Sequence, residues 1–238
     1  MIQGCCGVAS LGDNFRGADV KIGIIGSGNI GGTLTRRLSA LGHDVSVANS
    51  RGPESLRDLA AETGATPVAV SEAANGAEIV IVTIPEGKVP ALPAGLFDGA
   101  ADGFVVVDTG NYYPQRDGRI AGIEDEGRTE SGWVAEQLGQ PVIKAFNNIM
   151  AQHLLEKGVA AGTPGRIALP VAGDDQQAKE KVFRLIDELG FDAVDTGTLA
   201  DSWRQQPGSP VYVADADAEA TRKLLTEATP TRPETFKG

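Results

Sequence analysis

Cysteine is almost missing from this chain: 238 residues contain two, adjacent at Cys5 and Cys6. Neighbouring cysteines rarely bridge one another, and no third or fourth ligand stands at metal spacing beside them. The pair reads as two incidental thiols, and the reducing cytoplasm as the compartment. Histidine is as scarce, with His43 and His153 alone. No Ser-His-Asp, Cys-His or metal-ligand arrangement can be assembled from so few nucleophiles and bases. No stretch reaches the roughly 20 apolar residues that a membrane-spanning helix needs. Residues 1–18 lack the basic start and long apolar run of a secretory signal and read as an extension ahead of the first strand. Basic charge is short too. Lys and Arg number 21 against 32 Asp and Glu, a formal net charge of −11 that argues against a nucleic-acid surface.

What is present is an ordinary globular balance, 41% apolar and 22% charged. Short apolar runs alternate with segments of helical spacing. "VKIGIIG" (20–26), "DVSVAN" (44–49), "TPVAV" (66–70), "EIVIVTIP" (78–85), "FVVVDTG" (104–110) and "PVIKAFNN" (141–148) read as strands. Helices are expected at 29–42, 54–64 and 131–139, the first through Ile30, Leu34, Leu38 and Leu41. Strands alternating with helices imply a doubly wound parallel sheet of the Rossmann type over residues 19–148. Residues 149–228 repeat the alternation on a smaller scale, with helices at 150–158, 176–190 and 216–228 and strands at 166–175 and 191–197. This portion either extends the same sheet or forms a small α/β lobe on its edge. The tail, 229–238, looks disordered.

Gly26-Ser27-Gly28-Asn29-Ile30-Gly31 matches G-x-G-x-x-G between the first strand and first helix. The first glycine permits a tight turn, the second lets backbone approach a pyrophosphate, and the third packs helix on strand. The second strand then ends in Asn49-Ser50-Arg51, where an Asp or Glu usually receives the ribose of NAD. An acid there would repel a 2′-phosphate. A guanidinium at Arg51, with hydroxyls at Ser50 and Ser55, would instead bind one, so NADP(H) is the expected cofactor.

Ligands of open parallel sheets bind at the carboxyl ends of the strands. Those ends bring Thr83, Ile84 and Pro85, then Asn111, then Lys144, Asn147 and Asn148 to one cleft. Thr83 and Pro85 would flank the cofactor. Each asparagine would either hydrogen-bond the nicotinamide carboxamide or a substrate carbonyl, or cap a loop. Lys144 would meet a ligand phosphate or form a salt bridge. His43, in a helix-to-strand turn, is expected at the surface, and His153 off the site. No catalytic residue is assigned, since hydride transfer between two bound rings asks for alignment more than acid–base chemistry.

The segments "KIGIIGSGNIGGTLTRRLSALGHDVSVANSRGPESL", "VIKAFNNI" and "AGDDQQAKEKVFRLIDELGFDAVDTGTLADSWRQQPG" carry a resemblance. Over residues 20–213 the chain resembles the NADPH-dependent reductases of the deazaflavin coenzyme F420 and their bacterial relatives. The soluble domain of the six-helix membrane ferric reductases is similar. The resemblance implies a homodimer that passes hydride between NADP(H) and F420 or a related flavin. It implies that Ser27, Gly28, Asn29 and Ile30 hold the pyrophosphate and Ser50 with Arg51 the 2′-phosphate. Ile84, Pro85 and Ala145 would lie along the nicotinamide. Some members carry lysine where Ser55 stands, which weakens one phosphate contact here. The Trp-, Arg- and Gln-rich segment "DSWRQQPGSPVY" (201–212) would border the acceptor pocket, with Trp203 either there or anchoring the small lobe. Two other readings stand beside this one: a non-catalytic NADPH sensor, and a β-hydroxyacid or imine-type dehydrogenase, which would need a long helical second domain.

Overall fold

The computed structural model describes residues 20–236. Cys5, Cys6 and the expected N-terminal extension lie outside the described residues.

Each strand of the first six is short, and in all but the edge strand at 66–67 side chains alternate between two covered faces. In β1 (Lys21–Ile25), Ile22 and Ile24 point into one apolar cluster while Ile25 enters another. The same division recurs in β4 (Ile79–Val82) and β5 (Val105–Asp108): Ile79, Ile81, Val105 and Val107 face one side, Val80, Val82 and Val106 the other. A strand covered on both faces has no need of polar alternation, which is why these runs are continuously apolar. Helix α1 (Asn29–Ala40) buries Leu34 and Leu38, one turn apart, against the first face. β2 (Asp44–Ala48) follows. A 3-10 turn at Pro53–Leu56 leads into α2 (Arg57–Thr63) and the edge strand β3 (Thr66–Pro67). That strand is shorter than the expected 66–70, although the Val68 N–H beyond it still donates to the Val47 carbonyl at 3.0 Å.

Between β5 and β6 (Val142–Lys144) come α3 (Pro114–Asp117), α4 (Ala121–Glu124) and α5 (Glu130–Leu138). Pro114, Ile120 and Thr129 mark their entries, and Thr129 Oγ1 caps α5 by accepting the Gly132 N–H at 3.0 Å. β6 stops at Lys144, not at 148. Phe146 has φ +62, a left-handed conformation that ends any extended run.

The remainder is α6 (Ala151–Glu156), β7 (Ala168–Ala172), α7 (Gln176–Glu188), β8 (Asp192–Gly197) and α8 (Ala218–Glu227). The sheet has eight strands in the order β3-β2-β1-β4-β5-β6-β7-β8. β1 to β6 are parallel, whereas β7 joins β6 antiparallel through Lys144 and Ala172, and β8 runs parallel to β7. The chain is therefore Rossmann-type, with its last two strands extending the same sheet in the reverse direction. Among the described residues no helix is long and apolar enough to cross a membrane.

Two expectations fail here. His43 is buried: its Nδ1 accepts the Val20 N–H at 3.3 Å, and Nε2 lies 2.9 Å from Glu188 Oε2. With Nδ1 accepting, Nε2 carries the proton that Glu188 receives. The tail is likewise held through Phe236. Arg232 pairs with Glu130 and stacks over Tyr112, and the Phe236 ring lies 5.9 Å from Tyr113.

Candidate functional site: a cleft at the carboxyl ends of the strands

The three glycines of the turn are not equivalent. Gly26 has φ +113, and a Cβ on it would stand 2.2 Å from the Thr83 carbonyl oxygen. A Cβ on Gly31 would stand 1.9 Å from the Gly26 carbonyl oxygen and 2.6 Å from Thr83 Cγ2. Both are demanded by the fold itself. Gly28 is different: φ is −71, and a Cβ there would meet nothing within 4 Å. Nothing among the described residues requires glycine at that position. The open space lies over the N-terminus of α1, which has no side-chain cap and no acidic residue in its first turn. A group with backbone approach and negative charge, such as a pyrophosphate, fits it.

Asn49 acts as a strut. Its Nδ2 donates to Ser27 Oγ and to Ser55 Oγ, both at 3.0 Å, while its Oδ1 accepts the Arg51 N–H at 2.9 Å. It thereby ties the glycine turn to the loop after β2, which then turns at Gly52 with φ +85. Ser50 and Arg51 are exposed, and among the described residues neither side chain has a hydrogen bond or ion pair. A free guanidinium and two hydroxyls around a fixed loop form a candidate anion seat.

A cleft of about 910 Å³ runs from this seat across the sheet. Of the expected residues, Ser27, Gly28, Asn29 and Ile30 line its middle and Arg51 and Ser55 one end. Asn111 and Asn147 line the other end and fix each other. Asn147 Nδ2 donates to Asn111 Oδ1 (3.0 Å), and Asn111 Nδ2 donates to the Asn147 carbonyl (2.8 Å). Gln205 Nε2 locks Asn147 further, at 3.0 Å from its Oδ1.

The others lie outside the cleft lining. Gly26, Gly31 and Thr83 shape the turn from beneath, and Asn49 works from below the loop. Ser50 belongs to the seat but not to the cleft lining. Ile84 packs against Gly26, with its Cγ2 2.9 Å from where a Cβ would be, and Pro85 opens the 3-10 turn Glu86–Ala91. Ala145 is 0% exposed and belongs to the apolar core, so it presents no side chain to a nicotinamide. Lys144 also points away from the cleft, in a buried ion pair 3.0 Å from Asp108 Oδ2. Asn148 is buried, and its carbonyl accepts the Val213 N–H at 2.9 Å.

The rest of the lining is legible in part: Thr109 stands at a strand end and Tyr212 closes the 201–212 segment, whereas Met150 and Val213 carry no signal in the sequence. Tyr212 and Val213 close the end beside Asn111, with Met150 and Thr109. Val213 has φ +52 although β-branched, and Asp215 has φ +49. Such conformations persist only where surrounding contacts over-determine them. One of those contacts joins the Tyr212 and Tyr113 hydroxyls, and burial with that bond pushes the Tyr113 phenol above its ordinary value. Trp203 does not reach the cleft. It lines a separate cavity of about 400 Å³ with Arg128 and Arg232, under Arg204 at 4.4 Å from its ring centroid.

With the cleft defined, relatives give it a context. Residues 21–112, which hold the glycine turn and the anion seat, match the family described as NADP oxidoreductase, coenzyme F420-dependent. A Sinorhizobium meliloti protein, SMa0349, is 31% identical with a TM-score of 0.68, over 84% of this chain and 95% of that one. This chain belongs to that NADP oxidoreductase family. The family's fold recurs in an Arthrobacter protein provisionally named an F420-dependent NADP-reductase, 24% identical, with a TM-score of 0.63 over 77% of this chain and 87% of that one. The metalloreductase STEAP3 of Rattus norvegicus is 29% identical over 181 residues, 76% of this chain and 34% of that protein. The chain spans less than half the length of the curated relatives it matches.

Proposed function

We propose that the protein binds NADP(H) along the cleft and transfers hydride between it and coenzyme F420 or a related flavin. The observation that carries the cofactor is the seat itself: Arg51 and Ser50 unpaired, Ser55 held by the Asn49 strut, and open space at Gly28 over the α1 N-terminus. Ser27 to Ile30 hold the pyrophosphate, and Arg51, Ser50 and Ser55 the 2′-phosphate. When bound, NADPH supplies the hydride. The chain's own task is alignment: Asn111 and Asn147, rigid through their mutual hydrogen bonds, offer fixed polar atoms at the far end. Tyr212, beside the exposed apolar side chains of Met150 and Val213, suits a flat ring acceptor. The family description and the name given to the Arthrobacter protein support the deazaflavin as that ring. A homodimer in the cytoplasm is part of the same reading, on the family resemblance.

A second reading keeps the cleft and drops the chemistry. Among the described residues no carboxylate or imidazole lines the Thr109–Tyr212 end, so a sensor that binds NADPH and oxidises none of it would look the same. The separating experiment mixes protein and NADPH with F420, FMN or FAD and follows nicotinamide absorbance. Loss of absorbance with one acceptor is expected. Tight NADPH binding with no oxidation by any of the three favours the sensor.

A further inference from the structure

Behind the cleft wall lies a group of buried ionisable side chains to which the proposed chemistry gives no task. Glu86 opens the turn after β4, Asp108 ends β5, Glu130 opens α5 and Lys144 ends β6; all four are buried. Most of the charges here are matched. Lys144 pairs with Asp108 at 3.0 Å, Arg232 with Glu130, and Arg116 on α3 with Asp117 at 2.8 Å. Glu86 is the remainder. It is 0% exposed, and neither carboxyl oxygen has a hydrogen-bond partner among the described residues. An ionised carboxylate so placed would keep a full charge out of water with no counter-ion of its own. Burial, first, pushes Glu86 well above the usual carboxylate range. Glu130 adds repulsion, Lys144 opposes the rise, and Asp108 and Asp117 reinforce it.

The group reaches the cleft through Gly110. The Gly110 N–H donates to Asp108 Oδ1 at 2.8 Å, and its carbonyl accepts from Lys144 Nζ at 2.5 Å. The backbone is pressed onto the acids: a Cβ at Gly110 would lie 2.9 Å from Asp108 Oδ1 and 3.1 Å from Glu86 Oε1. On either side of it, Thr109 and Asn111 line the cleft.

We propose that Glu86 is a positioning residue kept as the neutral acid, and that its ionisation draws Lys144 off the Gly110 carbonyl and loosens the Thr109–Asn111 wall. The wall then responds to alkali, although among the described residues no titratable group lines that end of the cleft except Tyr212. The part of the inference that concerns cofactor binding rests on the NADP(H) reading; the rest does not.

The test compares wild type with Glu86→Gln. Infrared spectra of ¹³C-glutamate-labelled wild type need no variant: a protonated carboxyl band is expected at neutral pH, bleaching at high pH and missing from Glu86→Gln. Because the folded-state pKa is raised, the stability Glu86 contributes is complete below its unfolded pKa and is lost as pH rises through the folded one. The wild-type Tm should therefore fall more between pH 5 and 9 than that of the variant. The Gly110 and Asn111 amide resonances should move with pH in wild type and stay still in Glu86→Gln. NADPH affinity should drop severalfold with them, in wild type only. A missing carboxyl band or superimposed Tm profiles overturn the protonated state, and amide shifts equal in both proteins overturn the link to the wall. If the amides move as expected but neither protein binds NADPH at any pH, the cofactor reading fails while Glu86 stands.

Discussion

At the scale of the residue, the seat after β2 divides its work between a side chain that binds and one that holds. Arg51 has no partner among the described residues, so replacing it removes nothing from the fold. Arg51→Glu deletes a charge-assisted contact worth about 1.5–3 kcal/mol and adds repulsion toward a phosphate. NADPH affinity should fall roughly 10–100-fold by that figure. NADH, which has no 2′-phosphate, should bind nearly as before, and titration of both cofactors reads the difference. Equal losses would remove Arg51 from the phosphate. Asn49→Ala should act otherwise, because Asn49 links Ser27 to Ser55 and fixes the Arg51 backbone. Both cofactors should weaken together. The sequence marks Asn49 as a departure from the usual acid, but not as a strut; that role depends on Ser27 and Ser55 standing on either side of it in space.

The elements around the cleft can be told apart by what a single methyl does to them. Gly28→Ala adds a Cβ to open space at an ordinary φ, so the fold should keep its Tm while NADP(H) binding is lost. Gly31→Ala drives a Cβ to within 1.9 Å of the Gly26 carbonyl and should cost about 1–3 kcal/mol or more, as overpacked sites do. Calorimetry with and without cofactor separates the two. If both variants lose stability alike, Gly28 is structural and the open space has another cause. β1, β4 and β5 were legible as continuous apolar runs, and α1 by the helical spacing of Ile30, Leu34 and Leu38. The direction of β7 was not. It is set by pairing with β6 near Lys144 and Ala172, residues far apart in sequence. The end of β6 was missed for a related reason: nothing in "AFNN" announces that Phe146 takes φ +62. The Tyr212–Val213 wall belongs to the same class, since its conformation is imposed by Asn148 and Tyr113 from elsewhere in the chain.

For the molecule as a whole, the seam between β6 and β7 decides whether the reversed strands unfold with the rest. One apolar cluster crosses it, joining Ile22, Leu34 and Ile143 to Leu169, Val171 and Leu185. Gln205 crosses it as well, bonded to Asn147 and to the Pro170 carbonyl, both at 3.0 Å. A core shared in this way predicts a single cooperative transition in denaturant, by fluorescence and far-ultraviolet dichroism alike. Two separated transitions would make the last two strands an independent unit. The seam's buried charge is Lys144. Burial works against its ammonium, but the Asp108 carboxylate 3.0 Å away leads the acids around it that keep it protonated. Lys144→Met would leave Asp108 buried without its cation, at a cost of about 3–5 kcal/mol. Adding Asp108→Asn removes the stranded charge while its Oδ1 still accepts the Gly110 N–H; its Nδ2 then donates to the Ser131 hydroxyl, which now donates to Asp108 Oδ2. The double variant should therefore recover part of the loss, a coupling of roughly 0.5–3 kcal/mol in a double-mutant cycle. Strict additivity would mean that Lys144 stabilises the seam through its stem and its bond to Gly110, independently of Asp108.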